Sequence, residues 1–380
     1  MSVSSRASPP PPEVLSLIPP ASFDAFPYET PYSIQNDLMH TLYSAIESRS
    51  VAIVESPTGT GKTLSLLTSA LTWLKDEQNR SKKGQLNSLR HALETSSASE
   101  PRWVIEQSIA RHKRALDQEE EEFAGRLAKA RKREEIVRRK ENGRVIKKTK
   151  LTNDPEPQDD SRFLPDDDDD EDKDMLPENI DPLVREQLKK LRSKTYASKN
   201  NAEEDPICTK IFFASRTHTQ LTQAISELRK ITGGEVTRAI SLASRKNLCI
   251  HDTLRAQAGD LDEACREINT RPKESRCPFL PGIDEESRLL DFRDHALAHP
   301  KDIEDLVSLG REQKTCPYYG TRKAINRAEL VTLPYNLLLQ KPAREALGID
   351  LKNHIILLIP FSQFTPEPCR TPFYNYHYPN

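Results

Sequence analysis

The sequence predicts an α/β protein with a parallel sheet, a small helical domain bearing cysteines, and a long charged insertion. Three observations predict this. Val51-Ala52-Ile53-Val54 reads as a buried parallel strand that turns through a Gly- and Pro-rich stretch into a helical run, Leu64 to Leu74. Two later apolar runs, Lys210 to Ala214 and His354 to Ile359, read as further buried strands, and the first leads through a polar turn into a helix. Strands alternating with helices define this architecture.

Composition limits how much of the chain packs into that sheet. Of 380 residues, 36% are hydrophobic and 30% charged, so a sizeable part builds no core. The net charge of −2 hides basic and acidic blocks that stand apart, so local patches say more about partners than the total does. No N-terminal apolar run resembles a signal peptide, and no run approaches the ~20 residues needed to span a bilayer. The expectation is a soluble intracellular chain with no membrane partner, whose six cysteines are reduced thiols or metal ligands.

In chain order, residues 1–20 are Ser- and Pro-rich and read as a tail. A helix with apolar positions Ile34, Leu38, Leu42 and Ile46 follows. Gln35 lies on it, upstream of the first strand. Its amide offers a donor and an acceptor, as reading an adenine edge requires, and the alternative is a surface glutamine at a helix start. Glu55-Ser56-Pro57-Thr58-Gly59-Thr60-Gly61-Lys62-Thr63 then has the strand–turn–helix setting of a phosphate-binding loop. Gly59 and Gly61 let the backbone curl its N–H groups inward, and the following helix adds the positive end of its dipole. Lys62 suits the β/γ-phosphates of ATP, and Thr63 suits Mg²⁺. Ser56 stands where the strict pattern has Gly.

Residues 76–205 change character. A mixed-charge helical stretch runs from about Trp103 to Arg144, with basic clusters Arg131-Lys132-Arg133 and Lys147-Lys148-Thr149-Lys150, and an acidic block spans Asp166 to Asp172. The segment reads as an insertion, partly helical and partly disordered. Its basic clusters fit nuclear-import signals, DNA-contacting patches or a solvated helix face. Trp103 with Val104 and Ile105 is the expected point of docking on a folded domain.

Order returns at Lys210. Ser215, Arg216, Thr217 and Gln220 follow the second strand, at the edge of a parallel sheet where ligands bind, and their chemistry suits backbone phosphates. His218 has no visible nucleophile to serve as a catalytic base. After a third apolar element, Val236 to Leu242, come Cys249, Cys265, Cys277 and Cys316, with 15, 11 and 38 residues between them and no Cys-x-x-Cys pair. Structural zinc sites bring ligands in close pairs, whereas isolated thiolates on separate helices fit an iron–sulfur cluster. Unrelated packed thiols are the alternative, and Cys208 at a strand start reads as one.

Together these residues resemble the iron–sulfur DNA helicases of superfamily 2, typified by the xeroderma pigmentosum group D helicase. The resemblance rests on Gln35 in Pro-Tyr-x-x-Gln, the phosphate loop, Ser215 to Leu221, Ser244-Arg245-Lys246-Asn247-Leu248-Cys249, Cys277-Pro278-Phe279 and Cys316-Pro317-Tyr318-Tyr319-Gly320. The charged insertion points to the chromosome-loss branch of that family. The resemblance implies a RecA-like first motor domain, ATP with Mg²⁺, and a [4Fe–4S] cluster on Cys249, Cys265, Cys277 and Cys316 with a structural role. It further implies 5′-to-3′ unwinding of single-stranded and forked DNA in the nucleus, with cohesion and replication proteins as partners. The expected layout is motor domain 21–75, insertion 76–205, motor domain 206–245, cluster domain 246–322, motor domain 323–359 and an unrelated tail, 360–380.

One departure bears on catalysis. The family's strand equivalent to Ile355–Ile359 ends in Asp-Glu-Ala-His, whereas here Pro360-Phe361-Ser362-Gln363 follows. The resemblance thus leaves no catalytic carboxylate and no second motor domain, and the tail reads like a shifted frame or a retained intron. The chain as written is expected not to hydrolyse ATP at a useful rate.

Overall fold

The structure is a computed structural model that describes residues 16–55, 59–96, 102–149, 209–256, 260–272, 275–282, 285–359 and 374–376. Its helices are α1 (Ser33–Glu47), α2 (Lys62–Ser96), α3 (Arg102–Thr149), α4 (His218–Leu228), α5 (Arg245–Leu248), α6 (Asp252–Ala256), α7 (Leu261–Thr270), α8 (Glu286–Ala298), α9 (Ile303–Glu312), α10 (Pro317–Ala324), α11 (Tyr335–Leu339) and α12 (Lys341–Leu347). The strands are β1 (Val51–Ile53), β2 (Ile211–Ser215), β3 (Ala239–Ser241), β4 (Leu330–Pro334), β5 (Ile355–Ile359) and β6 (Tyr374–Tyr376).

Four strands form a parallel sheet in the order β3-β4-β2-β5. β2 lies inside it, with Ile211 opposite both Leu330 and Ile355, and is buried along its whole length. Side chains alternate between faces along a strand, so one apolar run serves two cores. Ile211 and Phe213 join α1, α2 and α4 through Met39, Tyr43, Leu67 and Leu221. Phe212 and Ala214 join α8, α9 and α10 through Phe292, Leu306 and Ala324. The result is three layers, with the helix that starts at the phosphate loop on one side and the cysteine-bearing helices on the other.

Several expectations need correction. Val51–Ile53 is not a buried parallel strand. It pairs antiparallel with Tyr374–Tyr376 in a two-stranded ribbon, leaving Val51 55% and Ile53 62% exposed. A ribbon with no layer covering both faces leaves side chains in water. β5 was expected to be fully buried, but it is the last strand of the sheet and alternates, with Ile355 and Leu357 inside and Ile356 and Leu358 outside. The buried stripe of α1 is Leu38, Met39, Leu42 and Tyr43, while Ile34 is exposed.

Within the insertion, α2 runs on without a break to Ser96 and α3 is 48 residues long. Trp103 does not dock α3, being 64% exposed, although Ile105 and Ile109 are buried. The docking side chain in mid-helix is Phe123, 2% exposed, with Leu127 and Ala130 one and two turns on. The guanidinium groups of Arg126, Arg238, Arg293 and Arg327 lie 5.2, 5.8, 5.8 and 5.3 Å from the centre of the Phe123 ring. This is cation–π range, and these groups are themselves paired with carboxylates: Arg126 and Arg293 with Asp294, Arg238 with Glu329, and Arg327 with Glu119. Further along, Arg131 donates to the carbonyl of Ala298 (2.6 Å), and Lys301 donates to both oxygens of Glu134 (2.9 and 3.1 Å). The acidic block and residues 150–205 of the insertion lie outside the described residues.

Candidate functional site

Three groups of residues gather around the sheet. The first is the phosphate loop, of which Ser56, Pro57 and Thr58 lie outside the described residues. Gly59 (φ 84°) and Gly61 (φ 69°) both take the left-handed conformation that only glycine adopts freely. Gly61 is constrained twice, because a Cβ there would stand 2.8 Å from the Gln35 amide nitrogen. α2 begins at Lys62, with Thr63 one residue in, so the start of the helix adjoins the glycine turn. Gln35 is buried and uses both ends of its amide. Its oxygen accepts from the Tyr32 N–H (3.0 Å), and its nitrogen donates to the Thr60 carbonyl (3.0 Å). It therefore ties the start of α1 to the loop, and its amide keeps a second N–H and a second oxygen lone pair for an incoming base.

The second group follows β2. Thr217 caps α4, its hydroxyl accepting from the Gln220 N–H (3.4 Å). Ser215 is fully buried and donates from its hydroxyl to the Gln220 side-chain oxygen. Arg216 and Thr217 face solvent. The four residues thus split into an internal pair that shapes the turn and an external pair that is accessible. His218 has a part that sequence reasoning missed, since its Nε2 lies 2.9 Å from Asn247 Nδ2. This contact joins the turn after β2 to the segment ending in Cys249. The signal was the presence of both residues in the two motifs, but spacing along the chain does not say that they touch.

The third group is the cysteines. Cys249, Cys265, Cys277 and Cys316 are all buried free thiols. Cys249 ends α5, Cys265 lies on α7, Cys277 is in a loop, and Cys316 caps α10. The Cys316 N–H donates to the Phe279 carbonyl (2.7 Å), which joins two of these segments. Burial pushes the Cys316 thiol up to about 11 and raises Cys249 and Cys277 as well. Charge on neighbouring thiols adds to this. Cys249 and Cys277 each feel Cys265, and Cys316 feels both Cys277 and Cys249. Opposing it, backbone N–H groups donate to the sulfurs, from His251 to Cys249, from Phe279 and Leu280 to Cys277, and from Tyr318 and Tyr319 to Cys316. A buried set of thiols, of which Cys249, Cys277 and Cys316 are made costly to ionise by burial and by neighbouring sulfurs yet supplied with N–H donors, suits a cationic centre that stabilises thiolates.

Among the described residues, no three or more His, Cys, Asp or Glu side chains converge as ligands of one metal ion. Ligands of a [4Fe–4S] cube bind one to each iron, so their sulfurs do not share a single point. The four thiols fit that donor set in kind. Beside them, the guanidinium groups of Arg245 and Arg322 lie 4.0 and 3.3 Å from the centre of the Tyr318 ring, and Arg245 pairs with Asp262 (2.6 Å). Cys208 lies outside the described residues.

Residues 213–359, from β2 through the cysteines to β5, match the DEAD_2 family. The chain is 38% identical over 357 residues to the ATP-dependent DNA helicase chl1 of Schizosaccharomyces pombe, a match covering 87% of this chain and 41% of the relative. It is 38% identical over 349 residues to the ATP-dependent DNA helicase CHL1 of Yarrowia lipolytica, covering 87% and 40%. By fold and motifs the chain is similar to the iron–sulfur superfamily 2 helicases of the xeroderma pigmentosum group D kind. Within that class its likeness is to the CHL1 helicases. The chain spans about two-fifths of the length of these relatives.

Proposed function

We propose that this chain supplies the nucleotide-binding motor domain and the cysteine domain of an ATP-dependent DNA helicase with 5′-to-3′ polarity, working in the nucleus in chromosome segregation and replication. The observation that carries the reading is the packing about one parallel sheet of α2, which a glycine turn enters, a polar strand end at Ser215–Thr217, and helices that bring four buried thiols. Gly59, Thr60, Gly61 and Lys62, with Ser56, Pro57 and Thr58, cradle the phosphates of ATP. Thr63 takes Mg²⁺, and Gln35 reads adenine with the remaining N–H and oxygen lone pair of its amide. Arg216 and Thr217 contact the DNA backbone, and Ser215 with Gln220 holds the turn that presents them. Cys249, Cys265, Cys277 and Cys316 hold a [4Fe–4S] cluster, which supplies a covalent cross-link between four segments and no redox step. Single-stranded and forked DNA is the substrate, and cohesion and replication proteins are the partners.

A second reading has its own observation. Pro360, Phe361, Ser362 and Gln363 follow β5, so no carboxylate stands there to hold Mg²⁺ or orient water. On this reading the chain binds nucleotide and DNA without turnover. Iron and sulfide analysis, visible absorption and DNA-stimulated ATP hydrolysis by the purified chain decide among these. Broad visible absorption with bound ATP and no stimulated hydrolysis gives the second reading. Stimulated hydrolysis that Lys62→Ala abolishes gives the first. Bound zinc in place of iron sinks the cluster assignment in both.

A further inference from the structure

The docking of α3 sorts the charges of its second half. Between residues 123 and 140 the sequence carries eight Lys or Arg and two Glu. Glu134 is turned onto the buried Lys301 of the body, and Arg126 and Arg131 also face the body, through Asp294 and the Ala298 carbonyl. With Phe123, Leu127 and Ala130 buried beside them, the face towards the body is fixed. What remains is exposed and periodic. Lys129, Lys132, Arg133, Ile136 and Arg139 stand at i, i+3, i+4, i+7 and i+10, and all five are solvent-facing. Arg139 shares its charge with Glu135, at 2.6 Å with both side chains well exposed, and the charge of Arg133 partly opposes the rise that burial gives the Asp291 pKa. Lys129 and Lys132 complete the stripe. The triplet Arg131-Lys132-Arg133, a single cluster in sequence, is therefore divided, with one residue inward and two outward.

We propose that this stripe on α3 is a contact surface for the phosphate backbone of duplex DNA, separate from the strand-end motif at Ser215–Thr217. The inference rests on the reading that the chain acts on DNA and adds to it a second point of contact. Charge and shape carry the choice of partner. At 1.5 Å per residue, Lys129 to Arg139 spans about 15 Å, and a duplex offers a charge every ~1.7 Å along its axis. A membrane surface would call for a broad apolar face beside the cationic one; Phe123 and Leu127 are used in docking, and Ile136 and Val137 are the only large apolar side chains exposed near the stripe among the described residues.

The test is the salt dependence of binding by the full chain. Affinity for a blunt-ended duplex and for a single strand of the same sequence is measured across a salt series. Wild type is compared with the variant carrying Lys129→Ala, Lys132→Ala, Arg133→Ala and Arg139→Ala. These positions are exposed and Ala favours helix, so a matching thermal melt shows that the variant is folded. The expected result is a log–log slope for duplex that falls by about 0.9 per lost phosphate contact, roughly 2 to 4 in all, with single-strand binding retained. Parallel duplex slopes in the two proteins overturn the proposal. Loss of all DNA binding by wild type would instead overturn the underlying DNA reading.

Discussion

At the scale of single residues, Phe123 shows how a charged segment acquires a fixed place. Its neighbours in sequence are Glu122 and Ala124, and nothing in the local pattern marks it as more than an isolated aromatic. In the folded chain its ring is sealed beneath arginines that are each held by a carboxylate. Truncation removes both the buried ring and the surface over which those cations lie. Phe123→Ala is expected to destabilise the chain by about 3–5 kcal/mol, read as a lowered denaturant midpoint. A change below about 0.5 kcal/mol would mean that α3 does not dock in solution. Gln35 and Gly61 teach a similar lesson. The sequence marks both as nucleotide-site candidates, yet not that the Gln35 amide donates to the Thr60 carbonyl and accepts from the Tyr32 N–H. Hydrogen-bond partners far apart in the chain are not written in local spacing.

At the scale of elements, the helix pattern was legible and its facing was not. The stretch from Trp103 to Arg144 was readable as helix because nothing in it breaks one, and α3 covers it. Which side packs was hidden, because the buried Ile105, Ile109, Phe123, Leu127 and Ala130 stand among charges whose partners lie 160 or more residues away in sequence. The ion pair between Glu134 and Lys301 gives that docking a pH dependence. Burial raises the Glu134 pKa, but His295 and Lys301 outweigh it and hold it below the usual carboxylate range. A carboxylate with a depressed folded pKa contributes stability above its unfolded pKa, and that contribution is lost as pH falls through the folded pKa. Glu134→Gln is therefore expected to lower the melting temperature at neutral pH, and the gap from wild type is expected to close as pH drops below the carboxylate range. A gap that stays constant with pH would show that the carboxylate's charge plays no part. β1 is the element the sequence misled on. Four apolar β-branched or small residues before a glycine turn read as a central strand, and pairing with Tyr374–Tyr376 cannot be inferred from either segment alone.

For the whole molecule, the arrangement separates two chemistries by a sheet. The helix that starts at Lys62 packs on one face, and the helices around the cysteines pack on the other. The sites should then fail independently. Lys62→Ala is expected to abolish nucleotide binding with iron content intact, measured by nucleotide titration and metal analysis on the same sample. Cys316→Ser is expected to release iron and loosen the region from Cys249 onward, measured by metal analysis and hydrogen exchange. Loss of iron in the first variant, or full iron in the second, would contradict the separation. The layered α/β class was legible because β2 is apolar from Ile211 to Ala214, as expected of a strand covered on both faces. The gathering of four cysteines from three helices and a loop was suggested by their even isolation. Their mutual influence on each other's ionisation is a property of three-dimensional distance alone.

The way α1 is fastened to α2 has a mechanical consequence. Near the phosphate loop the two are joined through Gln35 and the Thr60 carbonyl, and about five turns along α2 the Arg80 guanidinium grips Glu47 at the end of α1. Between these points Tyr43 holds Asp76 (2.7 Å). A rod clamped at both ends has no pivot. Any displacement of the loop is therefore transmitted to the pair as rigid translation or roll, so α1 and α2 travel together as one beam.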